Sequence, residues 1–193
     1  MQTPSQGTDL TDHELLESYL GGDVSAFETI LSRYERPLLR FVTRYRHGLG
    51  IGGAEEWAQD TVQEVFLRLV REAPALRVVE CLGAWLYRVA RNLAIDEARK
   101  EIRMERRHQM AAATELAPPP PLVEEGRELS EIVSRKLQGL PPNQRDVLVL
   151  KIQEGKSYKE ISEITGLSTS NVGYLIHHGL KALAGQLRAA GVV

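Results

Sequence analysis

Two stretches of this chain carry side chains whose types and spacing can do chemistry, and in both the chemistry is recognition of phosphates and bases. The first is Trp85 to Arg107, WLYRVARNLAIDEARKEIRMERR. Leu86, Val89, Ala90, Leu93 and Ala94 recur at three- and four-residue steps, which is the packed stripe of an α-helix. Arg88, Arg91, Asn92 and Arg99 fall largely off that stripe, with Asp96 beside them. A basic tail follows through Lys100, Arg103, Arg106 and Arg107. Guanidinium and amide groups projecting from a packed helix grip phosphates and hydrogen-bond base edges. A solvated amphipathic helix has the same pattern, so this window alone does not decide between the two.

The second stretch is Ser157 to Leu187. Ser157 with Glu160 is a capping box for a short helix, Tyr158 to Thr165. Gly166-Leu167 makes a tight turn, and Ser168 caps a last helix reaching about Leu187. Ile161, Ile164, Leu167, Val172 and Ile176 sit where a helix-turn-helix buries its core.

These elements must be carried by a chain of 193 residues that is 42% hydrophobic, enough for one good core or two small ones. Aromatics make up only 6%, helix formers dominate and no stretch alternates as a β-strand does, which predicts an all-α fold. No apolar run is long enough to cross a bilayer and Met1 to Leu20 shows no signal-peptide pattern, so no membrane insertion is expected. The lone cysteine, Cys81, excludes an internal disulfide and fits a reducing cytoplasm, most simply as a small buried hydrophobe. A Cys/His cluster, a regular phosphate-cradling glycine loop and a nucleophile elbow are all missing from the sequence. The expectation is a protein that is not an enzyme and holds no cofactor or metal; His177 and His178 are too sparse for a metal site.

Net charge is −2, unlike a protein that holds DNA unaided. Residues 1–75 carry 7 Lys and Arg against 12 Asp and Glu, a net of −5. Residues 76–110 carry 8 against 5, a net of +3, and residues 111–193 balance at 9 against 9. The basic block is therefore the helix at Trp85, and phosphate neutralisation by the whole chain is weak.

In chain order, residues 1–10 read as a disordered lead-in. Thr11 and Glu14 form a capping box for a helix ending at Gly21-Gly22. A second helix runs from about Asp23 to His47, kinked or broken at Pro37, and Gly48 to Gly53 is a glycine-rich loop. A third covers about Ala54 to Arg71, with Val62, Val65, Phe66, Leu67 and Val70 on its buried side and acidic first turns. Ala75 to Cys81 reads as a loop. Residues 11–110 form one domain. Residues 111–125, with prolines at 118 to 121, form an extended linker. Residues 126–190 form a second domain: a helix from near Glu124 to Gln138, another from Pro141-Pro142 to Gly155, then the helix-turn-helix.

This order resembles that of a bacterial sigma factor of the small extracytoplasmic-function (ECF) group, which keeps sigma domains two and four. DTVQEVFLRL (Asp60 to Leu69) is similar to the group's acidic clamp-binding helix, and WLYRVARNLAIDEARK (Trp85 to Lys100) to its promoter-melting helix. LPPNQRDVLVLKIQEGKSYKEISEITGLSTSNV (Leu140 to Val172) is similar to its domain-four signature. The resemblance implies a transcription initiation factor that binds core RNA polymerase, directs it to promoters and helps melt the minus-ten region. It implies that Asp60, Gln63, Glu64 and Leu67 face the clamp helices of the largest polymerase subunit, and that domain four meets the flap of the second-largest. Arg88, Arg91, Asn92, Asp96 and Arg99 are then placed for the minus-ten element. The loop Val78, Val79, Glu80 and Cys81 corresponds to a pocket for a flipped base, and Trp85 either stacks near the melted junction or packs in the core. Ser168, Thr169, Ser170, Asn171, Tyr174, His177 and His178 are placed for the minus-thirty-five element. An anti-sigma factor is a possible further partner.

Three places depart from the group's pattern. The pocket loop RVVEC is apolar apart from Arg77 and Glu80. AEEWAQD ahead of DTVQE offers a second register for the acidic helix, one turn earlier. Four recognition-helix positions that usually carry Arg or Lys hold Gly173, Leu175, His178 and Leu180. A free-standing helix-turn-helix regulator and a polymerase-binding adaptor are the competing readings. The regulator would need its own phosphate grip and a dimerising element, and neither is evident.

Overall fold

The computed structural model describes residues 10–48, 54–111, 132, 133, 136, 137 and 139–189, and no strand occurs among them. The expected lead-in, the glycine-rich loop at 49–53 and nearly all of the linker lie outside these residues.

Helix α1 (Asp12–Leu20) starts where its capping box predicts: Thr11 donates its backbone N–H to Glu14 at 2.8 Å while its hydroxyl accepts from Glu14 N–H. It buries Leu15 and Leu16 and ends at Gly21-Gly22, where Gly22 takes a φ of 101° that a side chain would resist. Helix α2 (Val24–Gly48) is the centre of the N-terminal half, touching α1, α3 (Ala54–Glu72) and α4 (Leu82–Ala111). It passes through Pro37 without the break the sequence suggested. The missing N–H and ring clash cost about 3 kcal/mol, and complete burial of Leu38, Phe41 and Val42 just beyond the proline offsets this.

Between α3 and α4 the expected loop is instead a 3₁₀ helix, Ala73–Val78, followed by extended residues. Pro74 presets φ at its start, and Ala73 and Leu76 tuck into the core, which an open loop would leave wet. Cys81 closes the segment by accepting the N–H of Ala84 at 3.4 Å through its sulfur. It sits half-buried beside the core.

In the C-terminal half, the expected helix from Pro141 to Gly155 divides. Helix α5 (Pro142–Leu148) gives way to a π-helical turn, Val149–Gln153. Val147, Leu148, Val149 and Leu150 are all buried, so this segment is apolar all round, and the wider turn re-aims the side chains that follow. Helices α6 (Tyr158–Thr165) and α7 (Thr169–Ala189) form the predicted helix-turn-helix, with Gly166 at φ 75° in the turn. Gly179 lets α7 approach α5 closely, since a Cβ there would stand 2.9 Å from Leu148 Cδ1.

The expectation of two units separated by a linker meets one further difference. The halves touch: α4 lies against α6, and the buried residues of both halves form one contiguous cluster.

Candidate nucleic-acid and polymerase interface

Helix α4 presents Arg88, Asn92, Asp96 and Arg99 as one exposed stripe, because steps of four, four and three residues return to the same side of a helix. Arg99 pairs loosely with Asp96 at 3.8 Å. Such exposed pairs contribute little stability and leave the groups available to a ligand. The opposite side buries Leu86, Ala90, Ala94 and Ala98. Trp85, seven residues before Asn92, starts on the stripe's own side in the first turn, yet it is packed into the core and only 6% exposed. An indole anchored there cannot stack on a base without leaving the core, so the packing alternative describes it.

Arg91 also departs from the sequence reading. It points about 60° round the axis from Arg88 and is committed to the C-terminal half. Its Nε donates to Asp146 Oδ2 at 2.9 Å, and its terminal nitrogen donates to the same oxygen. Burial opposes the guanidinium's charge, but the Asp146 carboxylate more than compensates and holds its pKa above the ordinary value.

A cleft of about 180 Å³ lies between the start of α1 and the segment ending at Leu82, with Val79, Glu80 and Cys81 in its wall. Val78 points away and is 89% exposed. Lys159 of α6 donates to the Glu80 carboxylate at 3.0 Å in an exposed pair.

On α3, Asp60 and Gln63 are exposed, as the clamp reading needs. Glu64 is partly engaged within its own helix, accepting from Arg68 at 2.9 Å and Arg71 at 2.8 Å. The bond from Arg68, helped by Arg71, holds its carboxyl below the usual range. Leu67 and Val70, expected on the buried side, face outward instead, Leu67 at 50% exposure. They border a cleft of about 330 Å³ between α2 and α3, floored by Phe27, Leu31 and Phe66 and rimmed by Glu35, Gln59 and Gln63. The sequence gives no sign of this groove, because helical periodicity does not distinguish a covered stripe from an uncovered edge.

Along α7, Thr169, Ser170, Asn171, Tyr174, His177 and His178 are exposed. Ser168 is in part occupied as a cap, accepting the N–H of Asn171 at 3.3 Å through its hydroxyl. The Tyr174 and His178 rings lie 4.1 Å apart. Of the four positions lacking the usual cation, Leu180 and His178 are exposed, whereas Leu175 leans on the core and Gly173 backs onto Tyr158.

Comparison with known proteins places this geometry. Residues 30–104 match the family description Sigma-70 region 2, and residues 130–183 match Sigma-70, region 4. The ECF RNA polymerase sigma factor SigW of Bacillus subtilis is 32% identical over 177 residues, covering 86% of this chain and 91% of that protein. The chain belongs to the ECF family of RNA polymerase sigma factors. The ECF RNA polymerase sigma-E factor of Escherichia coli is 29% identical over 185 residues, covering 90% and 93% of the two chains. The fold of this ECF sigma factor is similar to that of CnrH, solved in complex with the cytosolic domain of CnrY. There the TM-score is 0.67 at 22% identity, over 92% of this chain and 97% of CnrH. It is also similar to the sigma factor RpoE of Bartonella quintana, solved with the anti-sigma factor NepR, at a TM-score of 0.56 and 20% identity over 81% and 97%.

As a sigma factor the chain is a transcription initiation factor that directs RNA polymerase to promoters. Region 2 takes in the α4 stripe and region 4 the helix-turn-helix. Sequence reasoning missed the residues by which the two regions meet, chiefly Tyr45, Tyr87, Asp146 and Glu154. The available signal was Asp146 itself, an acid at the head of the apolar run VLVL.

Proposed function

We propose that this sigma factor reads the minus-ten element with Arg88, Asn92, Asp96 and Arg99 of α4 and seats a flipped base in the cleft walled by Val79, Glu80 and Cys81. The observation that carries the reading is the α4 stripe: two cations, an amide and a carboxylate stand exposed on a helix whose other side is locked into the core. A fixed helix with free polar ends loses little side-chain order on binding, which suits base readout. The cleft near Cys81 sets Leu76, Val79 and Leu82 beside Asp12, His13 and Glu80, and apolar contact together with hydrogen-bonding groups helps offset the few kcal/mol of unstacking a base.

Thr169, Ser170, Asn171, Tyr174, His177 and His178 on α7 meet the minus-thirty-five element, with Ser168 positioned more as a helix cap than as a reader. Asp60, Gln63 and Leu67 dock on the clamp helices of the polymerase largest subunit, where exposed acid meets a basic partner and gives orientation and on-rate. The C-terminal half meets the flap of the second-largest subunit. Nucleotide addition belongs to the polymerase, and the sigma factor acts in the cytoplasm beside it. No helix among the described residues is long and apolar enough to cross a membrane. An anti-sigma factor is a further partner by analogy with the RpoE–NepR complex.

Footprinting of the reconstituted holoenzyme on promoter DNA tests this reading. Protection at both elements, with single-stranded reactivity at minus-ten, is expected. Core binding without any footprint would leave an adaptor, and a footprint by the chain alone would leave a free-standing regulator.

A further inference from the structure

Where the two regions meet, charged and phenolic side chains pair beside the shared apolar cluster. Asp146 of α5 is almost enclosed: its side chain is 2% exposed and that of Arg91 13%. It accepts from both Arg91 nitrogens and, through Oδ1, from the Tyr45 hydroxyl at 2.7 Å. Glu154, the residue that follows the π segment, repeats the arrangement, accepting from the Tyr87 hydroxyl at 3.0 Å with Arg44 at 3.7 Å. Lys156 lies over the Tyr87 ring at 4.2 Å, and Lys159 reaches Glu80. Region 2 thus offers guanidiniums and phenols, and region 4 fills them with two carboxylates.

We propose that Asp146 and Glu154 are an internal latch: in the free sigma factor their carboxylates occupy anion sites on region 2 that promoter phosphates take when the protein opens. The proposal rests on the minus-ten reading above, and it adds the regulation of that site. Three observations support it. Arg91 lies on the helix that carries the reading stripe, yet two of its nitrogens are engaged by Asp146, and Glu80 in the wall of the base cleft carries an exposed pair with Lys159. The donors are of the kind that bind phosphodiester oxygens, since a guanidinium fork and a phenol O–H serve phosphate as well as carboxylate. The closed form also cannot span a promoter. Elements named minus-ten and minus-thirty-five lie about 25 base pairs apart, or about 85 Å of duplex at 3.4 Å per step, whereas here the two regions are in hydrogen-bonding contact.

The contact chemistry suits a device that must open. Charges in a buried pair regain hydration when they separate, so such a pair closes with a small net gain although its geometry is specific. A ligand that binds only the open form then shifts the population by its differential affinity.

The test uses the full chain with Asp146→Asn and Glu154→Gln together, compared with wild type by small-angle X-ray scattering and by binding of a single-stranded oligonucleotide carrying the minus-ten sequence. The variant is expected to shift from a compact to an extended distribution and to bind the oligonucleotide about tenfold more tightly, as release of a mostly closed population requires. Lys159→Glu, an exposed change that sets like charges at Glu80, is expected to act in the same direction and covers the case in which the double variant misfolds. Scattering unchanged from wild type in both variants would overturn the latch and leave the minus-ten reading standing. Opening without tighter binding, while Arg88→Ala in the open background still weakens binding, would overturn the occlusion. If Arg88→Ala in that background leaves binding unaltered, the minus-ten reading fails instead, and the scattering alone then judges the latch.

Discussion

Adding positive charge to the outer face of α7 tests whether that helix lies against DNA in the holoenzyme. Of the four positions Gly173, Leu175, His178 and Leu180 that lack the group's usual cation, His178 and Leu180 are the two exposed ones. His178→Arg preserves the ring contact, since a guanidinium stacks on Tyr174 as an imidazole does. Leu175→Arg would be a poorer test, because Leu175 leans on the core and its replacement would cost stability as well. Each phosphate neutralised steepens the dependence of log affinity on log salt by about 0.9. Between about 50 and 200 mM salt, a fourfold change, one new contact therefore adds about 3.5-fold to the loss of affinity, and two add about 12-fold. Fluorescence anisotropy of a labelled promoter fragment titrated with wild-type and variant holoenzyme measures the difference directly. The increment should be the same for promoters with altered minus-thirty-five sequences, because a phosphate contact carries no base information. Parallel salt slopes for wild type, His178→Arg and Leu180→Arg would refute the reasoning and place another face of region 4 on the DNA.

Trp85→Ala should lower stability by about 3–5 kcal/mol in urea unfolding, as for a large core aromatic, whereas Arg88→Ala should stay within about 0.5 kcal/mol of wild type yet impair promoter melting. Gln63→Lys with Leu67→Lys should slow association with core polymerase about tenfold at low salt and less at high salt, read by stopped-flow fluorescence; equal rates would remove α3 from the clamp. Glu64 is a poorer probe, because its substitution also releases Arg68 and Arg71. Burial raises the pKa of Glu160, but hydrogen bonds from Ser157 and the charge of Lys156 outweigh that and hold it below 4.5. A depressed carboxyl stabilises above its unfolded pKa and loses that contribution as pH falls through the folded value. Glu160→Gln should therefore show a shallower loss of stability than wild type between about pH 5 and pH 3.

Much of the fold was legible because it is set locally. Both capping boxes, at Thr11 and Ser157, start helices where the pattern of hydroxyl and acid says they do, and Gly166 turns where only a left-handed residue fits. What failed was set by partners distant in sequence. Pro37 breaks helices in isolation, but not one whose next turns are buried. Leu67 and Val70 share a helical period with the core, yet α2 does not extend over them, and only the packed arrangement reveals the groove. For the site, the stripe Arg88, Asn92, Asp96 and Arg99 could be read from spacing alone. Arg91 could not, because its partner lies 55 residues away on α5. The region 4 carboxylate that claims it is marked in sequence by its place at the head of the apolar run VLVL, which does not name its partner.

The central claim, that the exposed stripe of α4 reads the minus-ten element, is tested most directly by a photo-crosslinking amino acid at Asn92 in the holoenzyme bound to a promoter. Mapping the adduct to nucleotide resolution is expected to place it on the non-template strand of the melted minus-ten element. Adducts confined to duplex DNA elsewhere, or to polymerase alone, would contradict it.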